Sequence, residues 1–180
     1  MEKYLIIIDY QYDFVNPNGS LYIHGAEKII DYIKELVNRI NYSRIIYTVD
    51  EHCPNHSSFG KWGKHCIINT IGASLPEELV DILYEHKGLK FSKGLTNDTY
   101  SCLDDIKNYI KVEDVIYDVV GVAGDVCVTY AVLDLWRQIK DSTINIHTKG
   151  IANIDESRAI YYKELLEGLN TIGTNKIAFI

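Results

Sequence analysis

Cysteine is scarce in this chain, and its cysteines do not pair. Cys53, Cys66, Cys102 and Cys127 are spread over 180 residues without a CxxC spacing, which excludes a disulfide framework and predicts four reduced thiols. Basic charge is short as well. Eighteen Lys and Arg stand against 25 Asp and Glu, a net charge of -7, and the cations are scattered instead of forming a stripe, which excludes nucleic acid as a partner. No apolar run approaches the roughly 20 residues that span a bilayer, and the chain runs straight into Tyr4-Leu-Ile-Ile-Ile8 with no basic leader or small-residue cleavage site. The expectations are therefore no membrane partner and a cytoplasmic location. Internal repeats and low-complexity tracts are missing too. What the chain does have is apolar content, 47% of its residues, enough for one domain over residues 1–180 with a sizeable core.

Short all-apolar runs alternate with helical patterns, the signature of a parallel sheet covered by helices on both faces. Strands are predicted at Leu5 to Ile8, Arg44 to Val49, Val115 to Val120 (extending to Val122), Thr143 to His147 and Ile177 to Ile180. Ile29, Ile30, Ile33, Leu36, Val37 and Ile40 recur at helical spacing, and residues 99–110, 126–139 and 156–169 also read as helices. In such a sheet reactive groups gather at the carboxyl ends of the strands. Asp9 and Asp50 each close a strand there.

Cys127 occupies a third such position, where the strand ending at Val122 passes through Gly124 into a helix. Unpaired N–H groups and the positive end of the helix dipole at that place predict a lowered thiol pKa and an oxyanion site. A small buried core cysteine satisfies the same sequence. Between Asp50 and about residue 78 periodicity is weak, yet the segment carries three of the six histidines, and long structureless segments are usually functional or disordered. Asp50, His52, His56 and His65 supply one carboxylate and three imidazoles, suited to a transition metal. A solvated polar loop is the alternative.

These residues fall into a known order. Asp9-Tyr-Gln-Tyr-Asp-Phe14 with Gly19 and Leu21, Asp50-x-His52-x-x-x-His56 with Ser58-Phe59, Trp62-x-x-His65-Cys66, Thr70-x-Gly72-Ala73, Lys93-Gly94, Tyr100-Ser101 and Val122-Ala-Gly-Asp-Val-Cys127-Val128 resemble the isochorismatase-like cysteine hydrolases, and within them the nicotinamidases (pyrazinamidases). The resemblance implies a three-layer α/β/α, Rossmann-type fold around a mostly parallel six-stranded sheet. It also implies a triad of Asp9, Lys93 and Cys127 that converts nicotinamide to nicotinate and ammonia through a thioester, as in NAD salvage. The backbone N–H groups of Ala123 and Cys127 would form the oxyanion hole, next to a cis peptide between Val122 and Ala123. Phe14, Trp62, Val122 and Ala123 would contact the substrate. Asp50, His52 and His65, with His56 as ligand or neighbour, would hold one divalent ion, zinc first, with iron or manganese also suited. Lys93 is preferred to Lys87 because it stands seven residues before Tyr100, the register of the family. A homo-oligomer fits the resemblance but nothing in the sequence locates an interface.

Two departures from the family stand out. Gly63 replaces a usual proline and Gly124 a usual threonine, and both are expected to loosen the backbone near the site. His24, His86 and His147 match no site element and are expected at the surface or at strand ends, and Cys66 is expected to serve packing. Two other functions compete. A related amidohydrolase for ureido or carbamoyl compounds would need no Asp50, His52 and His65 set, and a silent binding module would need no triad.

Overall fold

Strand β1 (Glu2–Ile8) buries every side chain from Tyr4 to Ile8, as a strand covered on both faces must. In the computed structural model, which describes residues 1–97, 99–104 and 106–180, β1 is central. The other strands among the described residues are β2 (Arg44–Asp50), β3 (Leu89–Lys93), β4 (Val115–Val122), β5 (Thr143–Ala152) and β6 (Lys176–Phe179). They lie in the order β3-β2-β1-β4-β5-β6, and all pairings are parallel. The three-layer expectation holds, with a sheet that is wholly parallel.

The helices are α1 (Tyr12–Val15), α2 (Ile29–Arg39), α3 (Phe59–Trp62), α4 (Glu77–Glu85), α5 (Thr129–Gln138) and α6 (Glu156–Gly168). Helix α2 turns Ile29, Ile30, Ile33 and Leu36 inward, and each such side chain fully buried contributes about 1.5–3 kcal/mol. It packs against β4, β5 and α4, whereas α5 and α6 pack on each other. Among the described residues no helix is long and apolar enough to cross a membrane.

This topology creates the site. The chain builds outward from β1 through β2 to β3, then returns to lay β4 on the other side of β1, so a crevice opens at the carboxyl ends of β1 and β4, where doubly wound sheets bind ligands. Asp9 follows β1, Asp50 ends β2, Lys93 ends β3 and Ala123 follows β4.

Two sequence expectations are corrected, and two elements are added. Among the described residues of 99–110 there is no α-helix, and Ile106–Asn108 make a 3₁₀ turn. Leu103, Ile106 and Ile110 are buried at helix-like spacing, but Ser101 Oγ takes the Leu103 N–H at 3.2 Å and Gln138 Nε2 donates to the Leu103 carbonyl, so side chains use the groups a helix would need. Asp98 and Asp105 lie outside the described residues. Strand β3 and helix α4 are additional to the elements read from apolar patterning. His147 is no surface residue, being 4% exposed. Its Nε2 lies 3.0 Å from Asp118 Oδ1 and its Nδ1 2.9 Å from the Tyr32 hydroxyl.

Candidate active site and metal centre

Asp9 stands one residue beyond β1 with φ 48, a left-handed conformation uncommon outside glycine and held only where surroundings enforce it. Its carboxylate is completely buried. Oδ2 lies 2.8 Å from Lys93 Nζ, and Oδ1 accepts a hydrogen bond from Thr48 Oγ1 at 2.6 Å. Lys93 Nζ also lies 3.3 Å from Asp50 Oδ1, so one ammonium bridges two carboxylates. Burial alone would favour neutral lysine, but Asp9, Cys127 and Asp50 outweigh it and hold the ammonium well above its ordinary pKa. Lys87, by contrast, is exposed just after α4.

Cys127 lies in a π-helical turn, Gly124–Val128, that precedes α5. It is 8% exposed. Burial pushes its thiol well above the usual range; Lys93 draws it down, and Asp9 and Asp50 push it up again. The expected lowering is not found: desolvation and the two carboxylates outweigh the ammonium, and the net shift is upward.

Asp50, His52 and His65 converge as the one such group among the described residues. His52 Nε2 is 3.0 Å from Asp50 Oδ2 and 3.2 Å from His65 Nε2, which is 3.5 Å from Asp50 Oδ2. Each ring turns Nδ1 to a backbone carbonyl, His52 to Gly94 at 2.6 Å and His65 to Gly63 at 2.9 Å. A carbonyl only accepts, so Nδ1 carries the hydrogen and Nε2 of the neutral ring presents a lone pair. Two imidazole nitrogens and a carboxylate oxygen aimed at one point make a donor set that could hold a metal ion. The spacing is close to the about 3.3 Å between tetrahedral ligands about 2.0–2.1 Å from zinc, so the residues fit a divalent transition metal. Burial opposes the charge on Asp50, but Lys93, His52 and His65 overcome that and keep the carboxyl ionised far below its usual range. His56 is not one of the converging three. Its ring lies against His52 with centroids 4.2 Å apart, and its Nδ1 meets Ser58 Oγ at 2.7 Å.

Beside these groups is a cleft of about 470 Å³ of atom-free space, lined by Phe14, Trp62, Tyr100, Ala123, Cys127 and Ile154, with Asp50, His52 and His65 in its wall. Phe14 comes from α1 and sits 5.6 Å from the His65 ring. Trp62 ends α3, its Nε1 3.5 Å from the Tyr100 hydroxyl. Val122 is fully buried in the core and does not line the cleft, unlike Ala123. The peptide joining them is cis.

Several supporting residues carried no readable signal of their role. Gln11 clamps Asp50 from both sides: Nε2 donates to the Asp50 carbonyl at 2.8 Å and Oε1 accepts from the Asp50 N–H at 2.7 Å. Asp13 accepts from the Cys66 N–H at 2.7 Å, pinning the segment after His65. Asp125 accepts from the backbone of Ile154 and Asp155 and pairs with Arg158 at 2.7 Å, which ties the loop carrying Ile154 to the cysteine turn. The two glycine departures each have a local structural setting. Gly63 has φ 76, closed to proline, and its carbonyl orients His65. A Cβ on Gly124 would lie 2.2 Å from Asn153 Oδ1 and 2.5 Å from Ile151 Cγ2, so this position is filled by neighbours.

Fold and crevice together define a doubly wound α/β protein with a buried cysteine lining the cleft at the topological switch point. An isochorismatase domain is matched over residues 3–156, and the chain belongs to the isochorismatase family. It is similar to a nicotinamidase of Saccharomyces cerevisiae, 28% identical over 77% of this chain and 89% of that one. Among solved structures it resembles a pyrazinamidase of Pyrococcus horikoshii in complex with zinc, 27% identical with a TM-score of 0.71 and full coverage of both chains. The fold also matches PnC1 from L. infantum in complex with nicotinate, with a TM-score of 0.85 at 24% identity, covering 99% of this chain and 92% of that one.

Proposed function

We propose that this protein hydrolyses the carboxamide of nicotinamide to nicotinate and ammonia, with Cys127 as nucleophile. The observation that carries the reading is the enclosed contact of Lys93 with Asp9, 2.8 Å between charged atoms, acting on the Cys127 thiol at the cleft beside Asp50, His52 and His65. The similarity to nicotinamidases supports the substrate.

Each residue then has a task. Asp9 takes the thiol proton as sulfur bonds to the amide carbon, and the tetrahedral oxyanion is held by the N–H groups of Ala123 and Cys127. Asp9 returns the proton to nitrogen, the C–N bond breaks and ammonia leaves, giving the thioester. Water, deprotonated by Asp9, attacks the thioester, and collapse releases nicotinate and the sulfur, which regains its proton. Lys93 stabilises the negative charges on Asp9 and sulfur throughout. Phe14 and Trp62 flank the ring, where offset or edge contacts contribute about 0.5–1.5 kcal/mol beyond burial, and Val122 supports the Ala123 backbone from the core. Asp50, His52 and His65 would hold the ion, zinc being the best fit to this donor set. When bound, that ion supplies a Lewis-acid site for a heteroaromatic nitrogen.

The test is ammonia release from nicotinamide by purified protein, with and without a strong chelator, beside Cys127→Ala. Activity is expected to vanish in the variant and to fall on chelation, returning with added zinc. Turnover that survives Cys127→Ala removes the thioester route.

A further inference from the structure

Thr48 lies near the end of β2, hydrogen-bonded to the residue that follows β1, and its side chain is almost fully buried at 2% exposure. Its hydroxyl makes two bonds to a single neighbour. The oxygen accepts from the Asp9 backbone N–H at 3.1 Å, and the hydrogen is donated to Asp9 Oδ1 at 2.6 Å. The same Asp9 N–H also reaches the Thr48 carbonyl at 3.2 Å. Asp9 is thus held at both backbone and carboxylate, at a position whose left-handed backbone needs such support. The bond to Oδ1 is short and charge-assisted, and with Asp9 completely enclosed no bulk water can replace it.

We propose that Thr48 is the positioning residue of Asp9. Its hydroxyl closes a ring through the N–H and carboxylate of Asp9, fixes the plane of the carboxylate, and leaves Oδ2 turned to Lys93. This rests on the reading in which Asp9 carries the proton from sulfur to the leaving nitrogen. A carrier serving two atoms in succession must keep one orientation, since a misplacement of about 1 Å can cost on the order of 100-fold in rate. Thr48→Val keeps the shape and removes the donor, leaving Oδ1 buried without it; Thr48→Ser keeps the donor.

The experiment compares wild type, Thr48→Val and Thr48→Ser by nicotinamide kinetics, by the rate of Cys127 alkylation with iodoacetamide, by zinc content and by thermal midpoint. Thr48→Val is expected to lower kcat roughly 10–100-fold with KM within about twofold, and to slow alkylation. Thr48→Ser should recover both to within about threefold of wild type, as expected where the hydroxyl and not the methyl is responsible. Equal losses in the two variants, a Thr48→Val loss that follows falling zinc content or thermal midpoint, or a rise in KM at unchanged kcat overturns the proposal. If wild type releases no ammonia from nicotinamide, the substrate reading falls. Alkylation then judges Thr48 alone: slower reaction in Thr48→Val than in Thr48→Ser supports it, and equal rates overturn it.

Discussion

Gly94 shows how tightly single positions are constrained around Lys93. It has φ 77, and a Cβ there would lie 2.5 Å from Asp50 Oδ1 and 2.7 Å from His52 Cε1. Its carbonyl is the acceptor that orients His52. Gly94→Ala is therefore expected to displace both ligands and to weaken zinc binding roughly 10–100-fold, the usual cost of disturbing groups that orient metal ligands. Gly60→Ala, where a Cβ meets nothing within 4 Å, should bind as wild type does. Competitive titration against a chromogenic chelator reads both, and equal affinities in the two variants would show that the crowding is relieved without cost. The Lys93-Gly94 dipeptide is thus a unit, one residue reaching Asp9 and the next leaving room for Asp50.

Strands β4 and β5 are joined by more than their ladder. Asp118 on β4 accepts from the Tyr42 hydroxyl at 2.9 Å and from Asn145 Nδ2 of β5 at 2.8 Å, with His147 of β5 3.0 Å away. Burial raises the Asp118 pKa, but these partners outweigh it and the net shift is downward. A carboxyl with a depressed folded pKa contributes stability that is present above its unfolded pKa of about 3.9 and lost as pH falls through the folded value. Asp118→Asn should lower stability by about 1.5–3 kcal/mol at neutral pH, and the gap to wild type should close below about pH 4. Urea unfolding across pH measures it, and a gap constant down to pH 2 would discount the charge. His147 illustrates what the sequence leaves hidden, since its partner Asp118 lies on a different strand. Runs such as Leu5 to Ile8 and Val115 to Val122 were legible because burial on both faces demands unbroken apolar residues. Edge strand β3, Leu-Lys-Phe-Ser-Lys, is covered on neither side strongly enough to show that pattern. Asp9, Asp50 and Cys127 were legible as strand-end residues, and Lys93 through its register with Tyr100. Thr48 and Gln11 were not, because each acts on a residue 39 positions away.

For the molecule as a whole, the proposed metal site at Asp50, His52 and His65 would couple metal binding to folding. An ion held by the native state alone stabilises it by about 2.7 kcal/mol at a hundred times its Kd, which for a chain of this size is a rise of about 5–11 °C in the thermal midpoint. Chelator-treated protein titrated with zinc should show that rise, and His52→Ala should abolish it. An unchanged midpoint in wild type would mean the three side chains do not act as ligands. A different consequence follows from the seat of Lys93 between Asp9 and Asp50. An amine kept as a cation has no lone pair to offer, so in the proposed reaction it cannot steal the acyl group from sulfur. The enzyme is thereby spared self-acylation, and each captured acyl group is left for water to release.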